Sequence, residues 1–164
     1  MNDTHAPDSA ILLSETTWCT MADVDAAGII YYASALRWAE RLSTNWMRSI
    51  GYPYSRLFAE SIATPAVSVK VDYHSHINLD DSIRLDLSVA HIGTSSFTFR
   101  TEIFVGQDEA PAVAARVTHV FARYEHPSQN PDKDGAHSKA TPIPERLRSA
   151  LEAGYRPKEV TRRP

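Results

Sequence analysis

Asp23-Val24-Asp25-Ala26-Ala27-Gly28-Ile29-Ile30-Tyr31-Tyr32 is an acidic, turn-prone stretch that leads directly into the longest helical pattern of the chain. Over residues 33–50, Leu36, Ala39, Leu42 or Ser43, Trp46, Met47 and Ile50 recur at spacings of three and four and make one apolar stripe. Arg37, Glu40, Arg41 and Arg48 fall on the other faces. Gly51 follows the last periodic residue, where a helix C-terminal glycine belongs, and Pro53 blocks continuation. Such a helix is roughly 27 Å long. A short helical turn over 53–60 is expected after it.

Outward from this helix the period changes to two. On the N-terminal side, residues 11–22 read as a first strand with imperfect alternation. On the C-terminal side four rows alternate with polar residues: Val67, Val69, Val71 and Tyr73; Ile83, Leu85, Leu87 and Val89; Phe97, Phe99, Thr101 and Ile103; and Val113, Ala115, Val117, His119 and Phe121. Their links, at Asn78-Leu79-Asp80-Asp81, Gly93-Thr94-Ser95 and Gly106-Gln107-Asp108, are short turns, so successive strands run antiparallel. The helix stripe and one sheet face must cover each other. The expected fold is therefore α+β, an antiparallel five-stranded sheet wrapped around one long central helix. Its exposed edge strands are of the kind commonly hidden by dimerisation.

The folded domain is expected to span residues 11–125, after a flexible N-terminus of residues 1–10. Residues 126–142, rich in Pro, Asp and Ser, read as a flexible connector. A last short helix over 143–153 precedes a solvated basic tail, 154–164, with Arg156, Lys158, Arg162 and Arg163. No internal repeat is visible.

A chain of 164 residues with 43% apolar and 23% charged residues is ordinary for one globular domain and long enough to bury its own core. The net charge of −3 gives no electrostatic case for nucleic acid or an anionic membrane. The single cysteine, Cys19, makes no internal disulfide and points to a reducing compartment. With no apolar run of membrane-span length and no basic-then-apolar start, the protein is expected to be cytoplasmic. His74 and His76 share one strand face and invite a metal reading, but no third ligand is evident, so surface or core histidines are expected.

The chemistry concentrates at the helix entry. A helix start presents unpaired N–H groups and a partial positive charge that can hold a developing oxyanion. A carboxylate just upstream is placed to attack a thioester carbonyl or to deprotonate water. Gly28 lets the backbone bend close to a substrate. The alternative is that Asp23 and Asp25 merely favour a helix N-terminus, and spacing alone leaves both readings open.

The run Asp25-Ala26-Ala27-Gly28-Ile29-Ile30-Tyr31-Tyr32-Ala33, followed by Arg37-Trp38 and Glu40, resembles the signature of the 4-hydroxybenzoyl-CoA thioesterase family, Asp-x-x-Gly-(Ile/Val)-Val-(Tyr/Phe)-(Tyr/His). The Gly51 stop, the Thr64-Pro65 strand entry, the Gly93-Thr94-Ser95-Ser96-Phe97 turn and Pro142-Ile143-Pro144-Glu145 fit as well, so the resemblance runs over roughly residues 13–152. It implies a hotdog fold, assembled as dimers or tetramers, with the active site where two subunits meet. It also implies hydrolysis of an acyl-CoA without metal or redox cofactor. Carried over by position, Asp25 becomes the catalytic carboxylate and the Tyr32 backbone N–H the group that polarises the thioester carbonyl. Glu40 falls where some members place an acid that contacts a ring hydroxyl; otherwise it is a surface charge paired with Arg37 or Arg41. Trp38 lines the acyl pocket or simply packs. Thr64 is a pocket hydroxyl from the partner subunit or only a strand-start residue. The Gly93-Thr94-Ser95 turn lacks the basic run with which one type of member grips CoA phosphates, leaving Arg123 or Lys70 as candidates.

The substrate implied is an acyl-CoA, and the Trp38, Tyr31 and Glu40 surroundings make an aromatic acyl group, benzoyl or hydroxybenzoyl, the first one expected. Two other readings are an acyl-CoA sensor or carrier without turnover, which has no need of Asp25, and an enoyl thioester hydratase. The latter normally places a histidine at the helix entry, and none lies between His5 and His74.

Overall fold

The computed structural model describes residues 10–124 and 138–154. The N-terminal segment, most of the connector and the basic tail therefore lie outside the described residues. Helix α1 covers Ser34–Ser49. It ends as anticipated at Gly51, whose φ is +82°. The Gly51 N–H donates to the Arg48 carbonyl at 3.1 Å and the Tyr52 N–H to the Met47 carbonyl at 2.9 Å, a Schellman closure that only a left-handed residue permits. Helix α2, Tyr54–Ala59, follows directly.

The main sheet contains β1 (Leu13–Trp18), β3 (Ala66–Tyr73), β4 (Ser82–Ile92), β5 (Ser96–Val105) and β6 (Val113–Val120). They lie in the order β1-β4-β5-β6-β3, every neighbouring pair antiparallel. Register carries the period-two pattern into space: Leu85 faces Ile103, Leu87 faces Thr101 and Phe99 faces Val117, so one apolar face is continuous across the strands. Trp46 of α1 meets Phe99 edge-on with ring centroids 5.5 Å apart, and Leu42, Met47, Leu85 and Ile103 are fully buried between helix and sheet.

Three findings differ from the reading of the sequence. The buried stripe of α1 begins at Ala35 and Trp38, while Leu36 is only half-buried; small residues (Ser34, Ala35, Ser43) let the helix approach the sheet closely. A second sheet of β2 (Ile62–Ala63), β7 (Ala122–Tyr124) and β8 (Ser138–Ala140) is present, and β8 falls inside the segment expected to be a connector. Strands of two or three residues are too short to show a period, and pairing with β7 is what orders β8. Helix α3, Glu145–Ala153, is where the pattern placed it, but it belongs to the core, with Leu147 and Leu151 fully buried.

Strand β3 is an open edge of the main sheet. It leaves Val67 and Val69 exposed at 60% and 50%. Among the described residues no helix is long and apolar enough to cross a membrane.

Candidate functional site

The acidic stretch folds into a small hairpin between β1 and α1. Val24 and Ile30 form an antiparallel bridge, the Asp25 N–H donates to the Ile29 carbonyl at 3.0 Å, and the Gly28 N–H donates to the Asp25 carbonyl at 3.0 Å. Gly28 sits at φ +76°, the left-handed position that closes such a three-residue turn. A Cβ there meets nothing within 4 Å, so what demands glycine is the backbone angle rather than close packing. The second arm is fastened to the segment leading into β4, through Ile30 N–H to the Ile77 carbonyl at 3.0 Å and Leu79 N–H to the Gly28 carbonyl at 3.1 Å.

The two acids of the hairpin have opposite surroundings. Asp23 is buried, 8% exposed, and its carboxylate is fully engaged. Oδ2 accepts from the Thr20 N–H at 3.0 Å and the Thr20 hydroxyl at 2.6 Å, and Oδ1 accepts from Arg37 Nη2 at 3.2 Å. Asp25 is exposed at the turn. Its Oδ1 accepts the Ala27 N–H at 2.8 Å, which aims the side chain, and among the described residues its other oxygen has no partner.

The far arm delivers the start of α1. Ala33 stands at the N-cap and supplies no side-chain cap. A Ser, Thr, Asp or Asn there typically contributes about 1 kcal/mol of stability, which this helix forgoes. The Tyr31 N–H donates to the Asp23 carbonyl at 2.8 Å and the Ser34 N–H to the Tyr31 carbonyl at 2.8 Å. Between them the Tyr32 N–H meets no acceptor among the described residues. The Tyr32 side chain is 67% exposed, its carbonyl accepts the Tyr73 hydroxyl of β3, and its ring centroid lies 4.4 Å from that of Tyr31.

The remaining candidates separate. Glu40 lies on the exposed side of α1 and accepts the Thr44 hydroxyl at 2.8 Å; Arg37, offered as its partner, is committed to Asp23 instead. Trp38 is 3% exposed and part of the core cluster, so packing is the role its burial supports. Thr64 is buried after β2, and its carbonyl lies 2.9 Å from Nδ1 of His119. A residue the sequence reading did not single out, Tyr54 on α2, joins this group. Burial raises its phenol, a hydrogen bond with Thr64 partly offsets that, and the nearby Glu40 charge raises it further. Cys19 is fully buried, and burial, with Asp23, Asp81 and Asp80 adding, pushes its thiol up, away from nucleophilic chemistry. Among the described residues no three or more His, Cys, Asp or Glu side chains gather as a metal site would require.

Residues 19–151 match the model of the thioesterase-like superfamily. The chain belongs to that superfamily. Acyl-CoA thioester hydrolase YbgC of Escherichia coli O6:H1 is 28% identical over 81 residues, 49% of this chain; the alignment spans only 60% of that relative's length. The 1,4-dihydroxy-2-naphthoyl-CoA hydrolase of Crocosphaera subtropica is 26% identical over 129 residues, covering 78% of this chain and 90% of the relative. A variant of 4-hydroxybenzoyl-CoA thioesterase in complex with 4-hydroxybenzoyl-CoA superimposes with a TM-score of 0.67 at 19% identity, covering 87% of this chain and 98% of the other. The five-stranded antiparallel sheet around one long helix is the arrangement expected from the strand and helix periods, and it is the hotdog fold that the resemblance implied. Of the sequence-derived candidates, Asp25, Gly28 and Tyr32 fall together on the helix-entry hairpin, Glu40 lies on the exposed side of α1, Thr64 is buried beside His119, and Trp38 is in the core. Arg37 was visible as part of the helix-entry motif and as a possible partner of Glu40, not as the partner of Asp23. His119 was visible as a member of the alternating row that forms β6, and nothing in the sequence singled out Tyr54.

Proposed function

We propose that the protein is an acyl-CoA thioesterase in which Asp25 drives hydrolysis and the Tyr32 N–H stabilises the oxyanion. One observation carries this reading. The hairpin that exposes the Asp25 carboxylate continues directly into an uncapped helix start whose Tyr32 amide is unpaired among the described residues. A thioester carbonyl oxygen accepting from that amide gains charge as its carbon is attacked, which is where a fixed donor lowers a barrier. As general base, Asp25 takes a proton from water while the water oxygen bonds to the carbonyl carbon; collapse expels the CoA thiolate, which is then protonated. As nucleophile, an Asp25 oxygen forms a mixed anhydride as CoA leaves, and water cleaves the anhydride. Either route consumes one water and yields free acid and CoA, with no metal or redox cofactor.

The acyl group is proposed to be aromatic, of benzoyl or hydroxybenzoyl type. Glu40 lies about 9 Å along α1 from the helix start at 1.5 Å per residue, a distance suited to one substituted ring. The Glu40 charge bears on the half-buried Tyr54 phenol of α2, which adds a polar ring to the surroundings of that acid. Tyr32 and Gly28 border the reacting end. The names of the relatives above include aromatic thioesters, in keeping with this choice. The protein is further proposed to be a homo-oligomer, a dimer or tetramer. The open β3 edge, with Val67, Val69 and Tyr73 exposed, lies beside Tyr32, so a second copy pairing there would close the site.

The test is thiol release by the purified protein from benzoyl-, hydroxybenzoyl-, phenylacetyl-, short-chain and long-chain acyl-CoA, with Asp25→Asn alongside. Release led by the aromatic thioesters and abolished in the variant is the expected result. Release from straight chains only would overturn the aromatic reading, and a variant of near-normal rate would overturn the role of Asp25. Binding without release from any thioester would turn the reading to a sensor or carrier.

A further inference from the structure

We infer that Asp23 and Arg37 form a positioning clamp that sets the Asp25 carboxylate against the Tyr32 amide; the inference rests on the thioesterase reading above and names residues that control its rate without touching substrate. Asp25 and Tyr32 belong to opposite arms of a hairpin, and a turn of this length is not rigid by itself. What ties the arms to one body is a cluster centred on Asp23. Its side chain holds the entry to the hairpin through Thr20. Its carbonyl holds the exit, accepting the Tyr31 N–H at 2.8 Å and the Ser34 hydroxyl at 2.8 Å.

Arg37, one turn into α1, reaches back over the same point. Its Nη2 lies 2.9 Å from the Ala22 carbonyl, 3.2 Å from Asp23 Oδ1 and 2.9 Å from Ser34 Oγ. The residue before the hairpin, the buried acid and the first residue of the helix thus share one guanidinium nitrogen. A buried carboxylate is costly unless its oxygens accept hydrogen bonds, and Arg37 Nη2 supplies the donor for Oδ1. Both reacting groups are referenced to α1 through this cluster, Asp25 two residues after Asp23 and Tyr32 two residues before Ser34. A displacement on the order of 1 Å between catalytic groups costs roughly 100-fold in rate, so the clamp acts on turnover rather than on affinity.

The experiment measures kcat and KM for Asp23→Asn, Arg37→Gln, the double variant and Arg37→Lys, each shown folded by circular dichroism well below its melting temperature. Asp25→Asn is run in parallel. The expected result is a fall in kcat of roughly 10- to 100-fold in each single variant, with KM within about two-fold. The double variant is no slower than the worse single one, because the two side chains act as a unit. Arg37→Lys, which keeps the charge but not the reach, recovers part of the loss. A merely structural pair would lower the melting temperature and leave the kcat of the folded enzyme unchanged, and that outcome overturns the inference, as does a fully additive double variant. The mostly exposed Arg37 side chain makes Arg37→Gln the variant to rely on should Asp23→Asn not fold. If Asp25→Asn alone keeps its rate, the thioesterase assignment of Asp25 fails and the clamp with it; if Asp25→Asn is inactive while the clamp variants are normal, only the clamp fails.

Discussion

Asp23 and Asp25 are two residues apart, share one side-chain chemistry and have opposite fates. The first is buried and has a donor on each oxygen; the second stands at the tip of the turn with one oxygen unpaired among the described residues. The difference teaches that an acidic pair read from sequence is not a unit of function. One carboxylate is consumed in building the hairpin, and the other keeps an oxygen without a partner among the described residues. The distinction comes from Arg37 and Thr20, which reach the first acid, while the second, exposed at the turn, accepts only the Ala27 N–H among the described residues.

The contrast can be broken most sharply at Asp25. Asp25→Asn is expected to lower thioester turnover by about 10²- to 10⁴-fold. Its melting temperature should stay close to wild type, because the side chain is exposed and an amide oxygen still accepts the Ala27 N–H. A large stability loss without loss of rate would reverse the roles of the two acids. Asp23→Ala removes the acceptor of the Thr20 hydroxyl and of Arg37 in a buried place. Chemical denaturation should show a loss of about 1–3 kcal/mol. Gly28→Ala forces a Cβ into the left-handed region and is expected to cost about 1–2 kcal/mol, with no clash to relieve. An unchanged midpoint there would mean that the turn tolerates another backbone.

The smallest effect expected is one of pH, and it belongs to His119 on β6. Burial lowers the pKa of His119 below its ordinary value of 6.5, against an opposing hydrogen bond to the Thr64 carbonyl. The folded protein therefore favours the neutral ring more than the unfolded chain does. Stability attached to His119 is present above pH 6.5 and is lost as pH falls through the lowered value. Denaturation midpoints measured across this window should fall toward acid in the wild type and fall less in His119→Gln. Equal slopes in both would remove His119 as the source.

Much of the fold was legible because its elements obey one period each. The α1 helix ends where Gly51 and Pro53 say, and the rows Val67–Tyr73, Ile83–Val89, Phe97–Ile103 and Val113–Phe121 are the strands β3 to β6, within a few residues at their ends. The strands β2, β7 and β8 were not legible, because two or three residues carry no period and their pairing is long-range. Leu36 was placed on the buried stripe by its chemistry, whereas burial followed the small residues that bring the helix against the sheet.

At the candidate site the division is the same. By itself the chain determined that a carboxylate, a glycine and a helix start follow one another between Asp25 and Ser34, since this is a matter of local order and turn chemistry. Only the tertiary structure decided which of the two acids is free, that Arg37 serves Asp23 rather than Glu40, and that Tyr54 and His119 gather around Thr64. Those outcomes depend on partners between 10 and 55 residues away along the chain, and competition among such partners for one donor or one buried place is settled when the chain packs.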